Sequence, residues 1–266
     1  MNKAEKARAE LLAVDELAER DSPVHRLDPL AKLLVTVLYI AVTVSFEKYD
    51  ITGLTVMVLF PVFGYQFGLI PVRTCFYKLR AVMPLVCAIG LLNPFFDREI
   101  LFYAGGVGVS GGVVSMLTLM MKGVFCLMAS FLLAATTRIE GLCAALRRLH
   151  CPGLLTSLLL LTFRSITILL DEAAVMTAAY HLRAPGQRGV HVSAWGSFLG
   201  QLLLRSVDRS QRLYESMLLR GFAGDFRFAE GAAGSAASWI FAALCSALIL
   251  LFRFCNVSAA IGSAFM

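Results

Sequence analysis

The chain has 266 residues, of which 58% are hydrophobic and 16% charged, with a net charge of +6. Soluble domains carry about 25% charged and at most about 50% apolar residues, so a water-soluble globule is excluded and a single membrane domain fills the chain. The basic balance comes without an aromatic-interleaved patch or a nucleic-acid motif, which excludes nucleic acid as a partner and places the Lys/Arg excess on cytoplasmic loops.

Residues 1–29 read as a charged cytoplasmic segment without a cleavable signal peptide. The first apolar run, from Leu33, serves as the targeting signal. Residues 30–135 hold four segments near the ~20 apolar residues that a spanning helix needs: 30–46, 51–70, 79–96 and 111–135. Pro84 and Pro94 leave the ends of the third open. Gly105, Gly106, Gly108, Gly111 and Gly112 read as a flexible outer loop, without the Lys-Ser or Lys-Thr of a P-loop. Lys122 lies inside the fourth segment. Charge there is expensive, so it is functional, snorkels to the interface, or pairs with a carboxylate. The last segment, 237–256, opens the C-terminal region 237–266.

Residues 136–236 remain leucine-rich, but charges recur at helical spacing, as in helices that lie along a membrane surface. Three helices are predicted. The first covers 138–149, with Thr137 and Glu140 spaced as a capping box. The second covers 154–184 and places Ser157, Arg164, Asp171 and Glu172 near one face. Arg164 with Asp171 or Glu172 reads as a structural ion network. The third covers 195–220. Leu199, Leu203, Val207, Ser210, Tyr214 and Met217 trace one stripe, and Arg205, Arg209, Arg212 and Glu215 lie opposite. Asp208 stands four residues before Arg212, the spacing of a helical ion pair. The second and third helices end alike, on Leu182-Arg183-Ala184 and Leu219-Arg220-Gly221.

The fold class is therefore all-α integral membrane protein, with about five transmembrane helices and three cytoplasmic or interfacial helices. With five spans, twenty Lys/Arg fall in 1–32, 71–80 and 136–236, against Lys48 and Arg98 on the opposite side. The positive-inside rule then puts the N-terminus in the cytoplasm of a prokaryotic cell and the C-terminus outside. A sixth crossing through 154–170 would carry Arg164 into the bilayer and export Arg183 through Arg227, so a partly immersed oblique helix is preferred.

Seven scattered cysteines without a CxxC pair read as small buried hydrophobes. His25, His150, His181 and His191 make no ligand spacing, so no metal site is expected. No nucleophile pattern points to a catalytic residue.

The paired endings resemble the Ala-Arg-Gly-like motifs of the transmembrane (T) subunit of energy-coupling factor transporters. HRLDPLAKLL (25–34) is similar to that family's Asp-Pro-Arg-x-Lys-Leu-Leu pattern, with Leu30 in the place of Arg. Thr136-Thr137, LRRLHCPGLL (146–155) and LTFRSITILLDEA (161–173) look like family segments. LLLRSVDRSQRLYESMLLRGFAG (202–224), Asn93-Pro94-Phe95-Phe96 and Ser110-Gly111-Gly112 look most like the cobalt-type subfamily. Leu182-Arg183-Ala184 departs from the motif and keeps only its Arg and a small residue.

The resemblance implies a subunit placed between two cytoplasmic ABC-type ATPases and a substrate-binding membrane protein of the cobalt or nickel type. The two long helices would be its coupling helices. Arg183, Ala184, Arg220 and Gly221 would form the ATPase contacts, supported by Arg164, Asp171, Glu172, Arg205, Asp208, Arg209 and Arg212. No cofactor would be bound directly, since ATP is used by the partners. The competing reading is a stand-alone secondary carrier or membrane enzyme built on intramembrane charge, Lys122 first.

Overall fold

A computed structural model describes residues 9, 12–13, 15–20, 22–91, 93, 100–104, 107–185, 189–224 and 236–254. In chain order the elements are α1 (Pro29–Val44), α2 (Ile51–Val56), α3 (Leu59–Gly68), α4 (Val72–Gly90), β1 (Ile100–Ala104), β2 (Val107–Ser110) and α5 (Gly111–Thr136). They continue with α6 (Ile139–Arg148), α7 (Gly153–Arg183), a short 3-10 turn (Val192–Ala194), α8 (Trp195–Leu219) and α9 (Ala236–Phe254). Contacts divide the chain into two units, one of residues 17–138 with 232–266 and one of residues 1–16 with 139–231.

The first unit is built around α5, which packs against α1, α2, α3 and α4, while α9 packs against α1 and α2. Small residues let the helices approach: a Cβ at Gly64 would lie 2.3 Å from Leu132 Cδ2, and one at Gly123 would lie 2.9 Å from Val86 Cγ1. The hydrogen bonds fix the helix directions. Asp28 N donates to Ser238 Oγ (3.1 Å) and Arg253 Nη2 donates to Ser45 O (3.1 Å), so α1 and α9 run parallel. Lys32 Nζ donates to Thr136 O (2.7 Å) and Lys122 Nζ donates to Phe46 O (2.5 Å), so α5 runs against them. Gly64 facing Leu132 and Gly68 facing Thr136 set α3 parallel to α5, and Val86 facing Gly123 with Gly90 facing Met116 sets α4 antiparallel to it. Five helical passages therefore alternate in direction. Residues 17–20, 22–32, 69–72 and 136–138 share one end of the unit.

The predicted second segment is not one smooth helix. It breaks at Met57–Val58, between α2 and α3. Pro61 stands four residues after Met57 and has no N–H to give its carbonyl. Tyr39 Oη donates to Met57 O instead (2.9 Å), and the Tyr39 ring stacks on Phe60 with centroids 4.5 Å apart. Tyr39 is fully buried in the core with Val35, Leu54, Phe125 and Ala129.

The third segment starts at Val72, seven residues before its predicted start at Leu79, so most of the expected 71–80 connection is helix. The turn before it is tight: Leu69 takes a left-handed φ of 52°, and Ile70 N donates to Tyr65 O (3.3 Å). The expected flexible glycine loop is, in its described part, ordered. β1 pairs antiparallel with β2, Ala104 facing Val107, and Gly111 and Gly112 open α5. Two glycines between short strands are a hairpin signal, and the loop reading overlooked it.

The second unit consists of α6, α7 and α8, with α7 packed against both neighbours. α7 is one unbroken helix of 31 residues and α8 one of 25, roughly 46 and 37 Å long at 1.5 Å per residue. No residue of α8 is buried. Ile51–Gly68, Gly111–Thr136, Gly153–Arg183 and Ala236–Arg253 are long and apolar enough to cross a membrane. The chain is an all-α multi-pass membrane protein with one small hairpin.

Candidate functional site

α7 and α8 carry the residues singled out in the sequence. Both end on an exposed Arg preceded by an almost bare leucine: Leu182 is 84% and Leu219 90% exposed. Burying a leucine is worth about 1.5–3 kcal/mol, and these two, beside the charged tips, are the most exposed of the chain's described large hydrophobic residues. The leucines were in view in the repeated Leu-Arg sequence, but only their exposure distinguishes them from core leucines.

The tips are built differently. Gly221 has φ +81°, Gly221 N donates to Leu218 O (2.9 Å) and Phe222 N donates to Met217 O (3.0 Å). That is a Schellman ending, and it needs a residue that tolerates the left-handed region. Ala184 has φ −127° and ψ 72°, with its N–H donated to Tyr180 O (3.0 Å). An ordinary L-residue adopts that conformation, which explains why the first motif carries Ala where the second carries Gly.

Behind the tips, α7 and α8 enclose a cleft of about 650 Å³. Glu172, Arg205, Ser206, Asp208, Arg209 and Arg212 give it a polar lining, with Ile168, Leu169 and Leu213 beside them. Glu172 and Arg205 form a salt bridge that joins the two helices. Arg164 does not join the expected network with Asp171 or Glu172. Its Nη2 donates to Glu140 Oε1 of α6 (3.0 Å), because seven residues along one helix are about 10 Å apart. Glu140 is thus engaged by Arg164, and the capping box is not formed: Thr137 Oγ1 is buried without a partner among the described residues. Arg212 Nε donates to the backbone carbonyl of Asp208 (3.2 Å) rather than to its carboxylate.

Lys122 finds carbonyls, not a carboxylate. Its Nζ donates to Val44 O (3.2 Å) and Phe46 O (2.5 Å), at the C-terminal end of α1. Arg253 reaches the same end, donating to Ser45 O and lying 4.6 Å over the Phe46 ring. A helix C-terminus offers unpaired carbonyls and a partial negative charge, so both intramembrane cations are accounted for as caps.

HRLDPLAKLL does similar work at the opposite end. Asp28 Oδ1 accepts from Leu30 N (3.2 Å) and Pro29 fills the first helical position, a standard helix start. His25 Nε2 lies 3.0 Å from Leu17 O and 3.2 Å from Ala135 O. Lys32 Nζ donates to Thr136 O. The segment ties the N-terminal region to the last carbonyls of α5.

Two of the remaining histidines, His150 and His191, also have local roles. His150 takes φ +64° at the end of α6, where Cys151 N donates to Leu146 O (3.2 Å), and His191 caps the 3-10 turn. Cys143 is buried, and its burial first, then the Glu140 carboxylate, push the thiol up from its ordinary range, as suits a packing residue.

A family model described as "Cobalt transport protein" (CbiQ) matches residues 20–229. The chain is 30% identical over 206 residues to a "Cobalt transport protein CbiQ" of Rhodobacter capsulatus, covering 75% of this chain and 80% of that one. It is 27% identical over 228 residues to an "Energy-coupling factor transporter transmembrane protein EcfT" of Limosilactobacillus fermentum, covering 77% and 82%. A "Nickel permease LarQ" of Lactiplantibacillus plantarum is 31% identical over 91 residues, 34% and 33% of the two chains. The family model spans α1 to α8 and both tips described above, and the chain belongs to the CbiQ family of cobalt-transport membrane proteins.

Proposed function

We propose that this chain is the transmembrane coupling subunit of an ATP-driven energy-coupling factor importer. α7 and α8 take up the motion of two cytoplasmic ABC-type ATPases at Arg183 and Arg220, and pass it to a substrate-binding membrane subunit. The chain has no catalytic residue or bound cofactor of its own, and ATP is hydrolysed by its partners. Its cargo is cobalt, on the strength of the family and the Rhodobacter relative. The partial match to a nickel permease makes nickel the second reading.

The observation that carries the proposal is the pair of exposed Leu-Arg tips on two long helices joined by a salt bridge. Arg suits the task because its guanidinium stays charged and offers a planar fork to a carboxylate. A desolvated charge pair at an interface couples by about 1.5–7 kcal/mol. The proposed orientation, N-terminus and tips cytoplasmic and C-terminus external, is supported by the shared bundle end that carries Arg20, Arg26, Lys32 and Arg138. A carrier or enzyme driven by intramembrane charge loses its first candidate, since Lys122 is engaged as a helix cap.

The test is charge reversal in the assembled complex. Arg183→Glu and Arg220→Glu should each weaken ATPase association at least about tenfold, equivalent to about 1.4 kcal/mol. Uptake of radiolabelled cobalt should fall with it, and comparison with nickel assigns the cargo. Normal ATPase association and uptake in the double variant would remove this mechanism.

A further inference from the structure

The first unit carries an apolar groove of about 490 Å³ on its side. Val35 of α1 and Leu132 of α5 form its floor, both buried, and Phe63 and Phe67 of α3 face Leu244 and Leu248 of α9 as exposed walls. Lys32 and Thr136 close one end, and Leu59 and Phe252 lie toward the other. We infer that this groove is a binding site for one anionic glycerophospholipid, an acyl chain lying along the floor and the phosphate at Lys32.

Length, volume and charge point to that occupant. The groove follows α9 from Phe241 to Phe252, a rise of roughly 16 Å. That is about half of a ~30 Å hydrocarbon core, the depth of one leaflet. A helix ~10 Å across would need about 1,200 Å³ over that length, far more than the groove holds. A hydrocarbon chain roughly 5 Å across, as carbon contacts near 4 Å dictate, needs about 300 Å³. Between its ends the groove is lined by apolar side chains apart from Cys245 and Thr36, and the Thr36 hydroxyl is already donated to Lys32 O (2.8 Å), so hydrocarbon suits it better than water. Lys32 is 6% exposed and gives N–H groups to Thr136 O (2.7 Å) and His25 O (3.5 Å). An ammonium has three N–H donors, and the third serves a phosphate oxygen. Arg20, Arg26 and Arg138 stand at the same bundle end, Arg138 paired with Glu19 (3.2 Å) and Asp28 beside Lys32, and Lys/Arg side chains at a membrane surface attract anionic lipid.

The full chain in nanodiscs of equal phosphatidylglycerol and phosphatidylcholine, released for native mass spectrometry, provides the test. One bound lipid per chain is expected, with phosphatidylglycerol enriched at least fivefold. Cys245→Phe, which fills the groove, should lower retention at least fivefold. Phe63→Ala, which removes an exposed wall, should do the same with an unchanged melting temperature, so loss of fold does not confuse the result. Lys32→Gln should abolish the head-group preference. Absence of a stoichiometric lipid, or equal retention in a folded Phe63→Ala variant, would overturn the inference. So would a cross-link from Cys245 to a protein partner in the assembled complex.

Discussion

At the tip of α8, one backbone angle decides which residue is allowed. Gly221 sits at φ +81° with open space around its Cα, so a side chain there meets backbone strain and no clash. An L-residue in the left-handed region costs roughly 1–2 kcal/mol. Gly221→Val should therefore destabilise the last turn of α8 by about that amount, seen as faster amide exchange at Phe222, while Ala184→Val should leave the end of α7 unchanged. Equal effects at the two tips would refute the distinction. Thr137 gives a second prediction of opposite sign. Its hydroxyl is buried without a partner among the described residues, and an unsatisfied group costs about 1–3 kcal/mol. Thr137→Val keeps the shape, removes the polar atom, and should raise the melting temperature.

The element scale belongs to the broken passage Ile51–Gly68. Tyr39→Phe would leave Met57 O without its donor, at a cost of about 0.6–1.7 kcal/mol for a hydrogen bond between membrane helices. Pro61→Ala restores an N–H four residues on. The double variant should recover most of the stability that Tyr39→Phe loses, measured as the melting temperature in detergent. No recovery would mean that the break has another cause. The same passage shows what periodicity conveys. The apolar run at 51–70 and Pro61 were both visible, but a hydropathy window averages over a missing N–H, and the compensating hydroxyl lies eighteen residues upstream of Met57. The five bundle segments and the three later helices were legible because each is a long periodic pattern ended by Gly, Pro or a charge. Pairings were not. Arg164 was assigned along its own helix and instead bonds Glu140, and Lys122, left between a functional role, the interface and a carboxylate, bonds carbonyls at the end of α1. Spacing reports neighbours on one helix and is silent on the helix packed beside it.

For the molecule as a whole, the bundle and the long-helix unit divide the labour. The bundle gives Lys32 and Lys122 carbonyl partners of its own, one at each end of α1. The long-helix unit leaves its amphipathic faces and both tips uncovered, which is costly in isolation and sensible in an assembly. Cysteine cross-linking of Leu182→Cys and Leu219→Cys in native membranes, on a background with the other cysteines replaced, measures the central claim most directly. Each position should form a cross-link with an ATPase subunit, changed in yield by ATP, and should resist a membrane-impermeant thiol reagent applied to intact cells. Labelling from outside the cell, or no ATPase cross-link at either position, would contradict it.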